Sequence, residues 1–485
     1  SLELARAVAR QGVEVGIAAP AGSELPAGAD LELIHFEQGS VPASALRAAD
    51  SVFLPGRVEL MHAIRKPMAI DLYDPFVLSN LDFFGDDFNR GGGRALLALR
   101  WLQHHLVNGD FFLCASETQR HFWLGMLAAA GRLNRANYVG DPLLERLMSI
   151  VPFGLSPEKP SAEGAVLRGV IPGLGATDRL ILWAGGMWNW VDPVTLVRAG
   201  AKLRETRPDV KVVLLGASHP NSDIGEMQVA REARALAHEL DPQGEGFFFL
   251  DWVPYDRRHL YLLESDVGVS LHRPGVESEF AFRTRLLDYL WCELPMVLTE
   301  GDELATRIAA AGLGRTVSPG DAAGVAFAIE QLLETPSSAL RQQAFREHRS
   351  ALAWDRVAEP LVEFCQAPRR APDRELNPWV AGISRGDAPR KEAALIADEF
   401  SGAARSISSP LGADHTCRQK FVARFDGLAQ VDVLLGRSGL RGNGNLIFEL
   451  RHQEGLVARV LVSVQELTEE GWQRFEFRPI PNSRG

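Results

Sequence analysis

The chain has 485 residues, 46% of them hydrophobic and 23% charged. These values exclude a disordered, collagen-like or coiled-coil protein, and at roughly 100–200 residues per domain the length implies about three domains. The formal net charge of −11 gives no support for a basic face, so nucleic acid is not expected as a partner, a local basic patch staying open.

Leu2, Ala5, Val8 and Ala9 recur at helical spacing, and Gly12 stands where such a helix ends. Val13, Val15 and Ile17 then alternate as a buried strand. In a doubly wound fold a strand and a glycine-rich turn precede the first helix. Those pieces are expected upstream of Ser1, so the sequence reads as a piece of a longer one. Strands are predicted over 31–36, 51–54, 68–72 and 111–115, and helices over 43–49, 94–107 and 117–130. Helices alternating with short apolar strands imply a parallel sheet with crossovers. Residues 81–93, LDFFGDDFNRGGG, break the pattern and read as a mobile loop.

The run 150–155, IVPFGL, ends a first half spanning 1–150. A polar stretch to about 178 leads into a second series, with strands over 180–184, 210–215, 247–253, 267–271 and 296–299. Its helices are predicted over 193–205, 225–239, 257–264, 282–292, 303–311 and 322–333, and a long helical run over 344–366 closes it. This second half is 151–366. Residues 367–410, rich in Pro, Arg, Gly and Ser, read as a linker with one short helix over 391–400. From about 411 the hydrophobic period changes to two, as in Phe421, Ala423 and Phe425 or Val431, Val433 and Leu435. Short alternating strands of this kind imply a β-sandwich, here cut short at Gly485. The fold class is therefore α/β, with two Rossmann-like domains facing each other across a cleft and a partial β-sandwich over 411–485.

Cys114, Cys292, Cys365 and Cys417 are too scattered for a metal site or a disulfide framework. Free thiols in a reducing compartment, the cytoplasm, are expected. No run approaches the roughly 18–20 apolar residues of a membrane span, and the start does not read as a signal peptide.

Ligands of open α/β sheets bind beyond the carboxyl ends of the strands, and four segments with chemical character follow strands. The first, WAGGMWNWVDP over 183–193, pairs Gly185 and Gly186 with a helix start at Asp192-Pro193. Paired glycines admit a phosphate to the backbone, and a helix N-terminus attracts it. Asn189 and three tryptophans in this segment suit sugars or bases. A tight strand-to-helix turn explains the glycines equally well. The second segment places His219 and Asn221 after a strand. The third, DWVPY over 251–255, sets Trp252 and Pro254 where a base could be read, although an ordinary turn capped by Asp256 explains it almost as well.

The fourth is LHRPGVESEFAFRTRLLDYLWCELPM over 271–296. Glu277 and Glu279 sit in a loop, and Arg283, Arg285 and Asp288 at the start of the next helix. Arginines there oppose the helix dipole, which a bound anion offsets, and guanidinium forks suit a diphosphate. Asp288 could accept from ribose hydroxyls. The competing reading is a set of surface salt bridges among Glu277, Glu279, Arg283 and Asp288.

The acidic loop, the helix RLLDYLWCELP and the strand after it resemble the glycosyltransferases of the GT-B fold, family 4 in particular, over about residues 1–366. Asp288 falls where that family has a ribose-binding glutamate. The family has seven residues between its two glutamates, which puts the partner of Asp288 at Phe280, so Glu277 and Glu279 are each out of step with it. Glu293 stands where the family usually has glycine, and Gly185-Gly186 replaces its Arg/Lys pair, leaving Arg283 and Arg285 to supply charge. The run 150–154 looks like the family's interdomain linker, and the segment around Trp354 like its closing helix.

The resemblance implies retaining transfer of a sugar from a nucleotide-diphosphate sugar to a glycan or lipid-linked acceptor in surface polysaccharide assembly. It implies no resident cofactor or metal, and a place in the cytoplasm or at the inner membrane face as a peripheral protein. Glu277, Glu279 and Asp71 are the catalytic candidates, and Tyr73 and Asp74 the acceptor-binding ones, unless DLYDP over 71–75 is only a capping turn. The tail from 411 resembles a jelly-roll carbohydrate-binding module. A GT-B-like scaffold without catalysis and a nucleotide-sugar epimerase of the same architecture are the competing expectations.

Overall fold

The computed structural model describes residues 2–25, 30–36, 43–55, 64, 66–83, 88–217, 225–335, 337–376, 428–436, 445–452, 455–463 and 470–480. The chain divides into two compact units, Ser1–Asn377 and Pro378–Gly485.

The first unit holds two parallel α/β halves. In the first half, β1 (Gly16–Pro20) pairs with β2 (Glu32–Phe36). A separate sheet runs β3 (Val52–Pro55), β4 (Met68–Asp71), β5 (Phe111–Cys114) and β6 (Met148–Ile150), every pair parallel. The central strand β5 is buried along its whole length, as a strand covered on both faces must be.

The second half contains β7 (Arg179–Trp183), β8 (Val210–Leu214), β9 (Phe247–Phe249), β10 (Val267–Ser270), β11 (Met296–Thr299) and β12 (Gly314–Val317). Their order is β12-β11-β10-β7-β8-β9, all parallel. Strand order therefore reverses at the β7–β10 neighbours, and such a switch point opens a crevice at the carboxyl ends of the strands. One face of this sheet packs Ile181, Val212 and Val269 against the helix Pro193–Arg204. The other packs Leu182, Val213 and Leu298 against the helix Thr284–Trp291.

The chain crosses between the halves twice. On the way out, the linker 151–155 runs beside Leu352–Trp354: Leu155 N–H donates to Leu352 O at 2.7 Å and Trp354 N–H to Leu155 O at 3.2 Å. A Cβ at Gly154 would meet the Trp354 backbone at 2.8 Å, so this crossing requires glycine. The long helical run expected over 344–366 is three helices, Ala339–Ala351, Trp354–Val357 and Glu359–Gln366. The break at residues 352–353 is where the linker bonds, and the last helix returns to the first half, packing Leu361 and Phe364 against Leu113 and Phe111.

Three local expectations change. Within the loop expected over 81–93, residues 81–83 finish the helix Phe76–Phe83 and 88–93 begin the helix Phe88–Asn108. Glycine costs about 1 kcal/mol in a helix interior, and the buried Ala98, Leu102 and Leu106 farther along the same helix outweigh it. The acidic segment is a short helix, Val276–Phe280, and not a loop. Asp256 is not an N-cap: it sits inside a 3₁₀ turn, Tyr255–Arg257, that Pro254 precedes.

The second unit contains two antiparallel pairs, β13 (Leu428–Gly436) with β16 (Glu470–Ile480) and β14 (Asn445–His452) with β15 (Gly455–Ser463). The strand expected at 421–425 and the helix at 391–400 lie outside the described residues. Among the described residues no helix is long and apolar enough to cross a membrane.

Candidate functional site

The site is built where β7 and β10 end. The buried β7 stops at Trp183, and Gly185 takes φ 119°, a conformation natural to glycine. Gly216, just past β8, has φ 73°, and a Cβ there would lie 2.9 Å from the Gly185 carbonyl carbon. The two loops thus meet backbone to backbone. Asp192 caps the following helix, its carboxylate accepting from Thr195 N–H at 3.0 Å and Thr195 Oγ1–H at 2.6 Å. The turn is fastened to the loop after β10 by Asp192 N–H to Leu271 O at 2.9 Å and Arg273 N–H to Trp190 O at 3.1 Å.

Under this turn lies Arg285. Its Nη2–H donates to Gly186 O at 2.8 Å, and its guanidinium stacks 4.2 Å over the Trp183 ring. Its Nε and Nη1 are buried with no hydrogen-bond partner. Burial lowers its pKa to about 10, so it stays charged at neutral pH. A buried cation with two idle donors is costly in isolation and well suited to an anion.

Arg283 is placed differently. It lies 3.0 Å from Asp302 through Nε, both side chains 1% exposed, and its Nη1–H donates to Thr299 O at 2.9 Å. Burial pushes the pKa of Arg283 down and that of Asp302 up, and their mutual attraction opposes both shifts. Asp288 faces Arg258 at 3.0 Å; burial raises its pKa and Arg258 opposes the rise. Arg258 in turn stacks 3.7 Å over Tyr255. Arg283 and Asp288 thus have partners outside the set of surface salt bridges considered from the sequence. The short helix Val276–Phe280 also separates the two glutamates: Glu277 is 8% exposed, whereas Glu279 faces outward.

On the first half, Asp71 ends β4, and its Oδ1 accepts from Tyr73 N–H at 2.9 Å. Burial raises its pKa to about 6 despite that bond. Burial, and after it the Asp74 charge, also raises the Tyr73 phenol. Asp74 is exposed and accepts from Ser79 Oγ at 3.2 Å. Asn189 bridges the halves, donating to Phe83 O at 3.3 Å and accepting from Val229 N–H at 3.4 Å. A small hollow lies between Gly186, Trp188, Met227 and Trp252, the last 43% exposed. Pro254 is exposed beyond it. His219 and Asn221 lie outside the described residues.

Two residues at the site carry no motif. His272 lies just past β10, after Leu271; burial, then the Arg283 and Arg285 charges, hold it neutral, and its Nδ1 is buried without a hydrogen-bond partner. The signal for it was its place as the second residue past a buried strand. Gln119 is fully buried at the start of the helix Glu117–Ala129 and reaches both halves. Among the described residues no three His, Cys, Asp or Glu side chains are grouped to hold a metal ion.

Residues 178–335 match the family described as glycosyl transferases group 1. No curated protein matches the sequence. Among solved structures, the chain is similar to a sucrose-phosphate synthase from Thermosynechococcus elongatus, with 16% identity, a TM-score of 0.54, and 75% of this chain and 91% of that one covered. It is also similar to Anabaena HepE in complex with UDP and glucose, with 13% identity, a TM-score of 0.51, and 76% and 96% covered. The first unit has the GT-B fold, and the group 1 match falls on the half that carries Arg285, Glu277 and Asp288.

Proposed function

We propose that the chain is a retaining glycosyltransferase that moves a sugar from a nucleotide-diphosphate sugar to a glycan or lipid-linked acceptor in surface polysaccharide assembly. It works without a resident metal, in the cytoplasm or at the inner face of the membrane. The observation that carries this reading is Arg285, a buried cation with two unused donors directly beneath Gly185-Gly186 at the switch point.

The chemistry follows from what each group can do. Arg285 and the backbone of the glycine turn hold the diphosphate and stabilise the charge it gains as the bond to the sugar breaks. Asp288, held by Arg258 near Tyr255, accepts from the ribose. Glu277 holds the sugar's hydroxyls on the face that looks toward Tyr73. Asp71, with a pKa of about 6, is ionised at neutral pH and takes the proton of the acceptor hydroxyl. The acceptor oxygen bonds the anomeric carbon on the same face from which the nucleoside diphosphate leaves with the electron pair, so the configuration is kept. The HepE complex makes UDP-glucose the first donor to try. Incubation with a panel of UDP- and GDP-sugars, read by nucleoside diphosphate release and by the anomeric configuration of the product, tests this. Release from one donor with retention is expected; no release from any donor, or an inverted product, contradicts it.

A further inference from the structure

The helix Glu117–Ala129 belongs to the first half, yet its first turn is bonded to the second. Glu303 of the second half accepts from Glu117 N–H at 3.0 Å and Thr118 N–H at 3.4 Å. One residue on, the Gln119 side chain is 0% exposed and makes three hydrogen bonds. Its Oε1 accepts from Ala115 N–H at 2.9 Å. Its Nε2 donates to Tyr73 O at 2.9 Å and to Phe280 O at 2.8 Å. The amide orientation is forced, because two carbonyls need two N–H donors and one N–H needs an acceptor. Phe122, on the same helix, packs its ring 4.9 Å from Phe280.

Those two carbonyls are not arbitrary points. Tyr73 belongs to the loop that follows Asp71, and Phe280 closes the short helix that carries Glu277. We propose that Gln119 is a positioning residue that sets the acceptor-side loop 71–74 against the donor-side helix, fixing the distance between Asp71 and Glu277 during transfer. The inference rests on the glycosyltransferase reading. Gln119 touches neither Arg285 nor the glycine turn through any of its three bonds, so nucleotide binding and transfer separate its role from theirs.

Gln119→Glu keeps the acceptor for Ala115 but turns a carboxylate oxygen toward two carbonyls. Steady-state transfer from UDP-glucose or whichever donor the panel selects, with calorimetric binding of UDP and GDP, is compared between this variant and the parent chain. Misplacing reacting groups by about 1 Å can cost ~100-fold in rate. We expect kcat to fall by roughly that factor while the nucleotide Kd stays within about twofold. An unchanged kcat overturns the positioning role, and a parent chain that binds no nucleotide removes the reading beneath it. If the variant fails to fold, hydrogen exchange on the parent chain decides. Segments 72–75 and 276–282 should open together, and independent opening overturns the proposal.

Discussion

Arg283 and Arg285 are two residues apart and look equivalent in the sequence, yet they have different fates. Asp302, distant in sequence, takes Arg283 into a buried ion pair, while Arg285 stacks on Trp183 and donates to the Gly186 carbonyl instead. Only the fold brings Asp302 there, so no local pattern separates the two. Glu277 and Glu279 were likewise left open by spacing, and the turn of a five-residue helix decides which is buried. Asp71 yields a pH prediction. Its pKa in the folded chain is about 6 against an ordinary 3.8, so the fold binds its proton more tightly than the unfolded chain does. The stability this adds is complete below the ordinary value and is lost as pH rises through about 6. Asp71→Asn, which keeps an oxygen for Tyr73 N–H, should be more stable than the parent at pH 8. In denaturant titrations that gap should close as pH falls through 6 toward 4; a gap that is constant with pH contradicts the burial of Asp71 as the cause.

Element by element, the parallel strands were legible because strands buried on both faces write continuous apolar runs, as in 180–184 and 296–299. The acidic helix was not, because five residues are too few for a helical period to show. Glu293, at a position the resemblance gives to glycine, now has a reason. It ends the helix Thr284–Trp291 at φ 57°, a left-handed conformation costing an ordinary residue about 1–2 kcal/mol. Its carboxylate is held by Lys159 at 2.9 Å and by the largely buried Arg349 at 3.0 Å. Burial pushes its pKa up, and those two bonds outweigh it, leaving it below the ordinary value. Glu293→Gly relieves the backbone but strands Arg349, and the net effect should be a loss of about 1–2 kcal/mol at pH 7. A depressed pKa means this contribution is present at neutral pH and fades in acid, so the gap should narrow as pH drops below the carboxylate range. Equal or greater stability of the glycine variant at pH 7 contradicts the ion-pair explanation.

At the scale of the whole molecule, the two-halved plan and the crossing 150–154 were legible, because a βα series that stops and restarts marks two sheets. The return path was not. Beyond the last crossing helix, Asp373 forms a fully buried pair with Arg132 at 2.7 Å, and Arg374 lies 3.2 Å from Asp110, so a segment that reads as linker is anchored in the first half. Its polar composition concealed this, since ion pairs and the single small apolar side chain of Ala371 hold it. Both crossings hold the two halves in one unit, and the proposed anionic donor completes that unit at Arg285. Calorimetric titration of the parent chain and of Arg285→Gln with UDP and with GDP tests it most directly. We expect the parent to bind at least one of the two, and the variant to bind it tenfold to a hundredfold more weakly, roughly the 1.5–3 kcal/mol of a charge-assisted hydrogen bond. Equal binding by both proteins, or no heat with either nucleotide, would contradict the claim.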